Sequence, residues 1–229
     1  MEENLKTNLR KSRRTPQATL SEVFAQTATD AAAIGFVLAH LPTARAAPKT
    51  HKPILWIQDR LSRRETGRPC LAGLGIMPQE GKTALPELLW LDVSRAIDVL
   101  WAMEQGLACA DLGAVVGEVW GDAPQLDFTA SKRLALRAEA HNVPAWLIRR
   151  AATPNLSAAR ERWRIASLPS GPDQADMRAP GQPVWKATLM RARWRSPGEW
   201  VARYDSRSHA ISFDPIVATN ADAAMREVG

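Results

Sequence analysis

The chain is poor in cysteine, tyrosine and long apolar runs. Cys70 and Cys109 are the two cysteines among 229 residues, and they lie far apart. Two separated thiols make neither a disulfide framework nor a thiolate metal site, so both read as reduced cysteines. The histidines, His40, His51, His141 and His209, are scattered, and none falls at zinc-ligand spacing with another. No apolar run follows the charged start that could act as a signal peptide or span a bilayer. The expectation is a cytoplasmic protein with no membrane contact, no metal and no cofactor.

What is present suits one sizeable core. Hydrophobic residues make up 45% and charged residues 24%, ordinary values for a globular protein. The formal net charge is +6, a balance that favours nucleic acid or an acidic partner and says nothing about fold. Residues 1–16 form a basic arm with Lys6, Arg10, Lys11, Arg13 and Arg14. Residues 17–213 read as the folded domain, interrupted by a Pro/Gly-rich loop over 169–183, and residues 214–229 as a polar tail.

Within the domain, apolar strand-like runs alternate with helical patterns. Strands are predicted at 19–25, 53–58, 87–91, 113–119 and 145–148, the second a continuous apolar run suited to burial on both faces. Helices are predicted at 30–41, with Asp30 placed to cap it, at 95–108 and at 129–141. In the second helix Ser94 is the expected N-cap, and Ile97, Leu100, Trp101 and Leu107 or Ala108 form the apolar stripe. Asn142 and Pro144 end the third helix. Strands separated by helices imply right-handed crossovers and a parallel sheet. After residue 160 the helices stop. Segments 162–166, 185–194 and 200–204 read as strands, the last two joined as a hairpin through Ser196-Pro197-Gly198. The fold class is therefore α/β, with a mainly parallel central sheet and antiparallel C-terminal strands.

The turn after the first strand is where such a sheet would hold a nucleotide. A P-loop there reads Gly-x-x-x-x-Gly-Lys-Ser/Thr, with backbone N–H groups cradling phosphate. Here Ala25 and Asp30 stand at the glycine positions, Ala31 at the lysine and Ala32 at the hydroxyl. The cation and the metal hydroxyl are gone, and a carboxylate has appeared where phosphate would rest. On the fourth strand, Gly117 stands where a magnesium-linked aspartate is expected, with Glu118 one residue later. A shift of one residue turns a side chain to the other face, so Glu118 could serve as a remnant acid only if a bulge intervenes. Gly81-Lys82-Thr83 imitates the end of a P-loop. Its nearest upstream glycine, Gly75, is one residue too distant, and Pro86 interrupts the helix that should follow.

Ser21–Ala25 resembles the strand that opens RecA-type ATPase cores, which implies a RecA-like three-layer fold. Several ordered stretches narrow the likeness: Ala96–Glu104 (AIDVLWAME), Gly113–Gly121 (GAVVGEVWG), Leu126–Ala135 (LDFTASKRLA), Ser157–Ile165 (SAARERWRI) and Leu189–Trp200 (LMRARWRSPGEW). Together they resemble the ImuA family of bacterial inducible-mutagenesis proteins. The resemblance implies a damage-induced (SOS) role beside ImuB, a relative of Y-family polymerases, and an error-prone replicative-type polymerase, with a link to RecA. The segment ahead of the first strand is short for that family.

Two basic patterns are candidate surfaces for DNA or a partner. Arg191, Arg193 and Arg195 alternate as on one face of a strand, with Arg203 across the hairpin. Arg160, Arg162 and Arg164 form a second alternating set. Clustered guanidinium groups call for something negative, which DNA phosphate, an acidic patch or intramolecular pairing would supply. Trp194 and Trp200 flank the first set and could stack on bases or anchor a core. The sequence thus supports a non-catalytic accessory protein. Its alternatives are a divergent ATPase using Glu118 and Lys82, and an SOS cell-division inhibitor with a tubulin-like partner.

Overall fold

The computed structural model describes residues 18–41, 52–70, 87–173, 175–205 and 208–216. The cationic stretch from Lys6 to Arg14, the Gly81-Lys82-Thr83 stretch and residues 217–229 of the tail lie outside them. Thirteen elements follow one another in the described residues: β1 Leu20–Ala25, α1 Ala32–His40, β2 Ile54–Asp59, α2 Arg60–Thr66, β3 Leu88–Val93, α3 Ala96–Leu107, β4 Ala114–Trp120, α4 Phe128–His141, β5 Ala145–Arg150, β6 Glu161–Leu168, β7 Val184–Ala192, β8 Gly198–Asp205 and β9 Ala210–Pro215. The strands form one sheet in the order β3-β2-β4-β5-β1-β6-β7-β8-β9. From β3 to β6 every pairing is parallel; β7, β8 and β9 continue it antiparallel. The expected fold class is the one found.

Two apolar layers sandwich this sheet. On one face α1 joins Trp56, Trp146, Trp163 and Trp185 in one apolar cluster, with Phe36 against the Trp163 and Trp185 rings. On the other, α3 and α4 cover Leu20, Ile57, Val115 and Leu147 with Val99, Met103 and Leu134. Helix α1 is apolar nearly all round because it is buried nearly all round, from Ala32 to Leu38. Gly35 lets it approach the sheet closely: a Cβ there would sit 2.8 Å from the Trp185 ring. Asp127 caps α4 by accepting from Ala130 N–H at 2.7 Å, and Asn142, in the left-handed region at φ 53°, closes it. The crossover from β5 to β6 has no helix. Residues 151–160 run as an extended strap along the α4 side of β1, held by Asn155 Nδ2–H to Leu126 O at 2.8 Å.

Four expectations change. Ser94 does not cap α3; Arg95 is the N-cap residue, makes no side-chain cap bond and pairs with Asp98 instead. The apolar stripe of α3 is rotated, with Val99, Leu100, Met103, Gly106 and Leu107 inward and Ile97 and Trp101 outward, the indole 65% exposed. Gly106 explains the rotation. Its bare Cα lets the helix close on Leu55 and Val115, where a Cβ would come within 2.7 Å of Leu55. Helix α2, seven residues and polar, and strand β9, six residues long, were not anticipated. The strand β7 ends at Ala192, so Arg193 and Arg195 lie in the bend beyond it, not on one strand face with Arg191.

Candidate functional site

The β1–α1 turn lies at the C-terminal ends of the parallel strands, the place where open α/β sheets bind ligands. Its polarity is the reverse of a phosphate cradle. Arg150, the last residue of β5, donates from Nη1 to the carbonyl oxygens of Ala28 at 3.1 Å and Asp30 at 2.9 Å. The turn therefore aims carbonyl oxygens at a guanidinium group where a P-loop aims N–H groups at phosphate. Arg150 is fully buried.

Behind Arg150 stands Glu118, also fully buried, which accepts from Arg150 Nε. Glu118 further accepts from Gln58 Nε2 at 2.9 Å and Trp56 Nε1 at 3.4 Å, and Gln58 ties the group to Gly67 O at the end of α2. Glu118 lies on the α1 face of the sheet with Val116 and Trp56, and no bulge puts it there: β4 pairs β5 in unbroken register. The residue on the wrong side is Gly117. It faces α3, where a Cβ would overlap Met103 Sδ. The acid of β4 thus points at the turn, but a guanidinium group of the same chain fills the space between them.

The N-terminus of α1, the natural anion site of such a turn, already holds an anion. Asp30 Oδ1 accepts from Ala32 N–H at 2.8 Å and from Ser167 Oγ at 2.6 Å, and Asp30 Oδ2 accepts from Ser167 N–H at 2.9 Å. The carboxylate that the sequence placed in the phosphate position caps the helix and ties the turn to the end of β6. Ala31 and Ala32 flank it with no polar side chain, and Ala25 ends β1.

A second buried polar group lies on the opposite face, under the strap. Glu22 of β1 accepts from Arg162 Nε at 2.7 Å and Ser157 Oγ at 2.7 Å. Arg149 and Arg162 both approach the Phe24 ring, at 5.4 and 5.2 Å from its centroid. Burial lowers the Arg149 pKa, opposed by the charges of Glu22 and Asp122.

Intramolecular contacts engage five of the seven candidate surface arginines. Arg162 is buried against Glu22, which removes it from any external surface. Arg160 pairs with Glu139 at 2.6 Å, and Arg203 with Asp214 at 3.3 Å. Arg195 makes a bidentate contact to Glu161, both at 2.9 Å, and lies 4.8 Å above the Trp163 ring. Arg191 donates to Ser157 O at 3.1 Å. Arg164, half-buried on β6, and Arg193, exposed in the bend, have no side-chain partner among the described residues. The two alternating sets therefore do not form two continuous basic faces.

Sequence reasoning missed Arg149 and Arg150. The signal was present: two consecutive arginines close an apolar strand, and charges on both faces of a buried strand require partners on both faces. Among the described residues, no group of three or more His, Cys, Asp or Glu side chains could hold a metal ion, and no helix is long and apolar enough to cross a membrane.

No protein-family model matches the chain. Two curated proteins do resemble it: Protein ImuA of Caulobacter vibrioides strain NA1000 / CB15N and Protein ImuA of strain ATCC 19089 / CIP 103742 / CB 15. Each is 29% identical over 188 residues, spanning 77% of this chain and 71% of the relative. With the ordered stretches already identified and a sheet of the expected class, the chain is similar to these ImuA proteins over most of its length.

Proposed function

We propose that the chain is a non-catalytic accessory protein of damage-induced mutagenesis. In this reading it works in the cytoplasm and brings together polymerase partners that copy past lesions: an ImuB-like polymerase relative and an error-prone replicative-type polymerase. RecA and DNA are its further contacts. Similarity to ImuA proteins supports the setting. The observation that carries the non-catalytic part is Arg150, seated between Glu118 and the carbonyl oxygens of the turn. Nucleotide would have to displace a buried ion pair and then meet the Asp30 carboxylate, with neither a lysine nor a hydroxyl at the end of the turn to replace what was lost.

Isothermal titration with magnesium and ATP tests the first half of this reading, and capture of ImuB-type and RecA-type partners from damaged cells tests the second. No heat of binding at protein concentrations that reveal micromolar affinity is the expected result, together with recovery of the polymerase relative. Saturable ATP binding would overturn the non-catalytic reading. Recovery of a tubulin-like division protein in place of a polymerase would overturn the mutagenesis role.

A further inference from the structure

The strap from β5 to β6 is held differently from the sheet beneath it. Of residues 151–160 only Ser157 and Ala159 are buried, while Leu156 is 70% exposed. Its backbone is anchored on side chains. Thr153 N–H donates to Asp122 Oδ1 at 2.8 Å, and Ala158 N–H donates to Ser131 Oγ at 3.0 Å. At its far end Arg160 N–H donates to Leu20 O at 2.9 Å. Its near end is Ala151, an alanine in the left-handed region at φ 46°, where a Cβ is strained against the following carbonyl oxygen.

Beneath the strap the charges do not balance. Arg149, Arg162 and Glu22 are all buried there. Arg162 Nε and Ser157 Oγ both donate to Glu22, and Arg149 Nη1 donates to Asn155 Oδ1 of the strap at 3.3 Å. A second carboxylate, Asp122, stands 4.0 Å from Arg149 with its side chain 64% exposed. Arg149 Nε and Arg162 Nη2 are buried and make no hydrogen bond among the described residues. Closing the strap thus desolvates two guanidinium groups and fully pairs neither. Opening it hydrates both and exposes little apolar surface. Segments that bury least are those that open while the rest of a fold stays closed.

We infer that residues 151–160 are a movable cover: the strap opens as one unit while the sheet and α4 stay folded, and its opening displays a basic face. Ser157 is the latch, because its hydroxyl reaches Glu22 and its carbonyl oxygen takes Arg191 Nη1. Arg162 and Arg164 alternate onto the same side of β6. Arg164 is half-buried and has no side-chain partner among the described residues. With the strap away, Arg149 and Arg162 join it, and Glu22 alone stands among the three. The closed strap therefore hides positive charge and the open strap presents it. The cover does not depend on the accessory reading, which concerns partners, and either can fail without the other.

Phenylglyoxal, which modifies guanidinium groups, reads the opening in the full chain, with the modified sites located by tandem mass spectrometry. Arg149 and Arg150 are adjacent and almost equally buried, at 1% and 0%, but Arg149 lies under the strap and Arg150 against the β1–α1 turn. The expected result under native conditions is labelling of Arg149 about 10-fold or more faster than Arg150. Ser157→Ala removes a hydrogen bond to a charged acceptor. It should speed both the labelling of Arg149 and the hydrogen exchange of the Ala158 amide roughly 10- to 150-fold, with Arg150 unchanged. Arg149→Met leaves one guanidinium group for one carboxylate and should slow the Ala158 amide. Labelling of Arg149 and Arg150 at one rate would mean that only global unfolding reaches either, and would overturn the inference. So would Ser157→Ala acting on both arginines alike, or faster Ala158 exchange in Arg149→Met. Unlike opening constants at the Thr153 and Ala158 amides would break the strap into separate pieces and overturn it too.

Discussion

Replacing Arg150 by alanine tests the reversed turn directly. The substitution leaves Glu118 fully buried with Gln58 at 2.9 Å as its one close remaining donor, Trp56 being 3.4 Å and Thr66 Oγ1 3.5 Å away. It also removes the donor to the carbonyl oxygens of Ala28 and Asp30. Removing one partner of a buried ion pair costs about 3–5 kcal/mol. At a urea slope of about 2–3 kcal/mol/M, the unfolding midpoint falls by roughly 1–2.5 M. Circular dichroism across a urea series measures it. Arg150→Met retains most of the side-chain volume and separates the loss of charge from the cavity. Coupling comes from the Arg150→Met/Glu118→Gln double variant, whose cost should fall short of the sum of its singles by about 0.5–3 kcal/mol. A midpoint within about 0.3 M of the parent for Arg150→Ala, or strict additivity, would refute the buried pair and with it the account of the turn.

Gly117→Asp, which restores an acid at the sequence position of a magnesium-binding residue, drives a carboxylate into Met103 and Val99; it should lower stability by more than about 3 kcal/mol or abolish folding, and a stable variant that binds magnesium would contradict the assigned faces. Asp127→Ala removes the cap of α4 at Ala130 N–H and should cost about 0.5–2 kcal/mol by urea unfolding, an unchanged midpoint counting against the cap. Trp101→Lys, at a side chain 65% exposed, should stay within about 0.5 kcal/mol of the parent. A larger loss would show that α3 buries that face.

The parallel part of the sheet was legible because buried strands such as Ile54–Asp59 and Ala114–Trp120 are apolar on both faces and are separated by helical patterns. Substitution of the turn was equally plain, because a phosphate site depends on particular residues at fixed spacing. What filled the space was not legible. Arg150 lies 120 residues from Asp30 in sequence, and only the β5-β1 pairing brings them together. The facing of Ile97 and Trp101 failed for a related reason. Helical spacing gives a stripe, but Gly106 and the side chains beneath it choose which stripe goes inward. The alternating arginines of 191–195 misled because alternation places side chains on one face only while the strand lasts, and β7 stops at Ala192.

A loop that opens and closes on a nucleotide works as a clock, since hydrolysis ends one state and begins another. The β1–α1 turn is clasped by a side chain that cannot diffuse away, and Asp30 fastens it to β6. Under the non-catalytic reading proposed above, such a turn has no spent form and no recharged form, and whatever times the action of this chain lies outside the turn, in how much of the protein is made and in which partners are present to meet it.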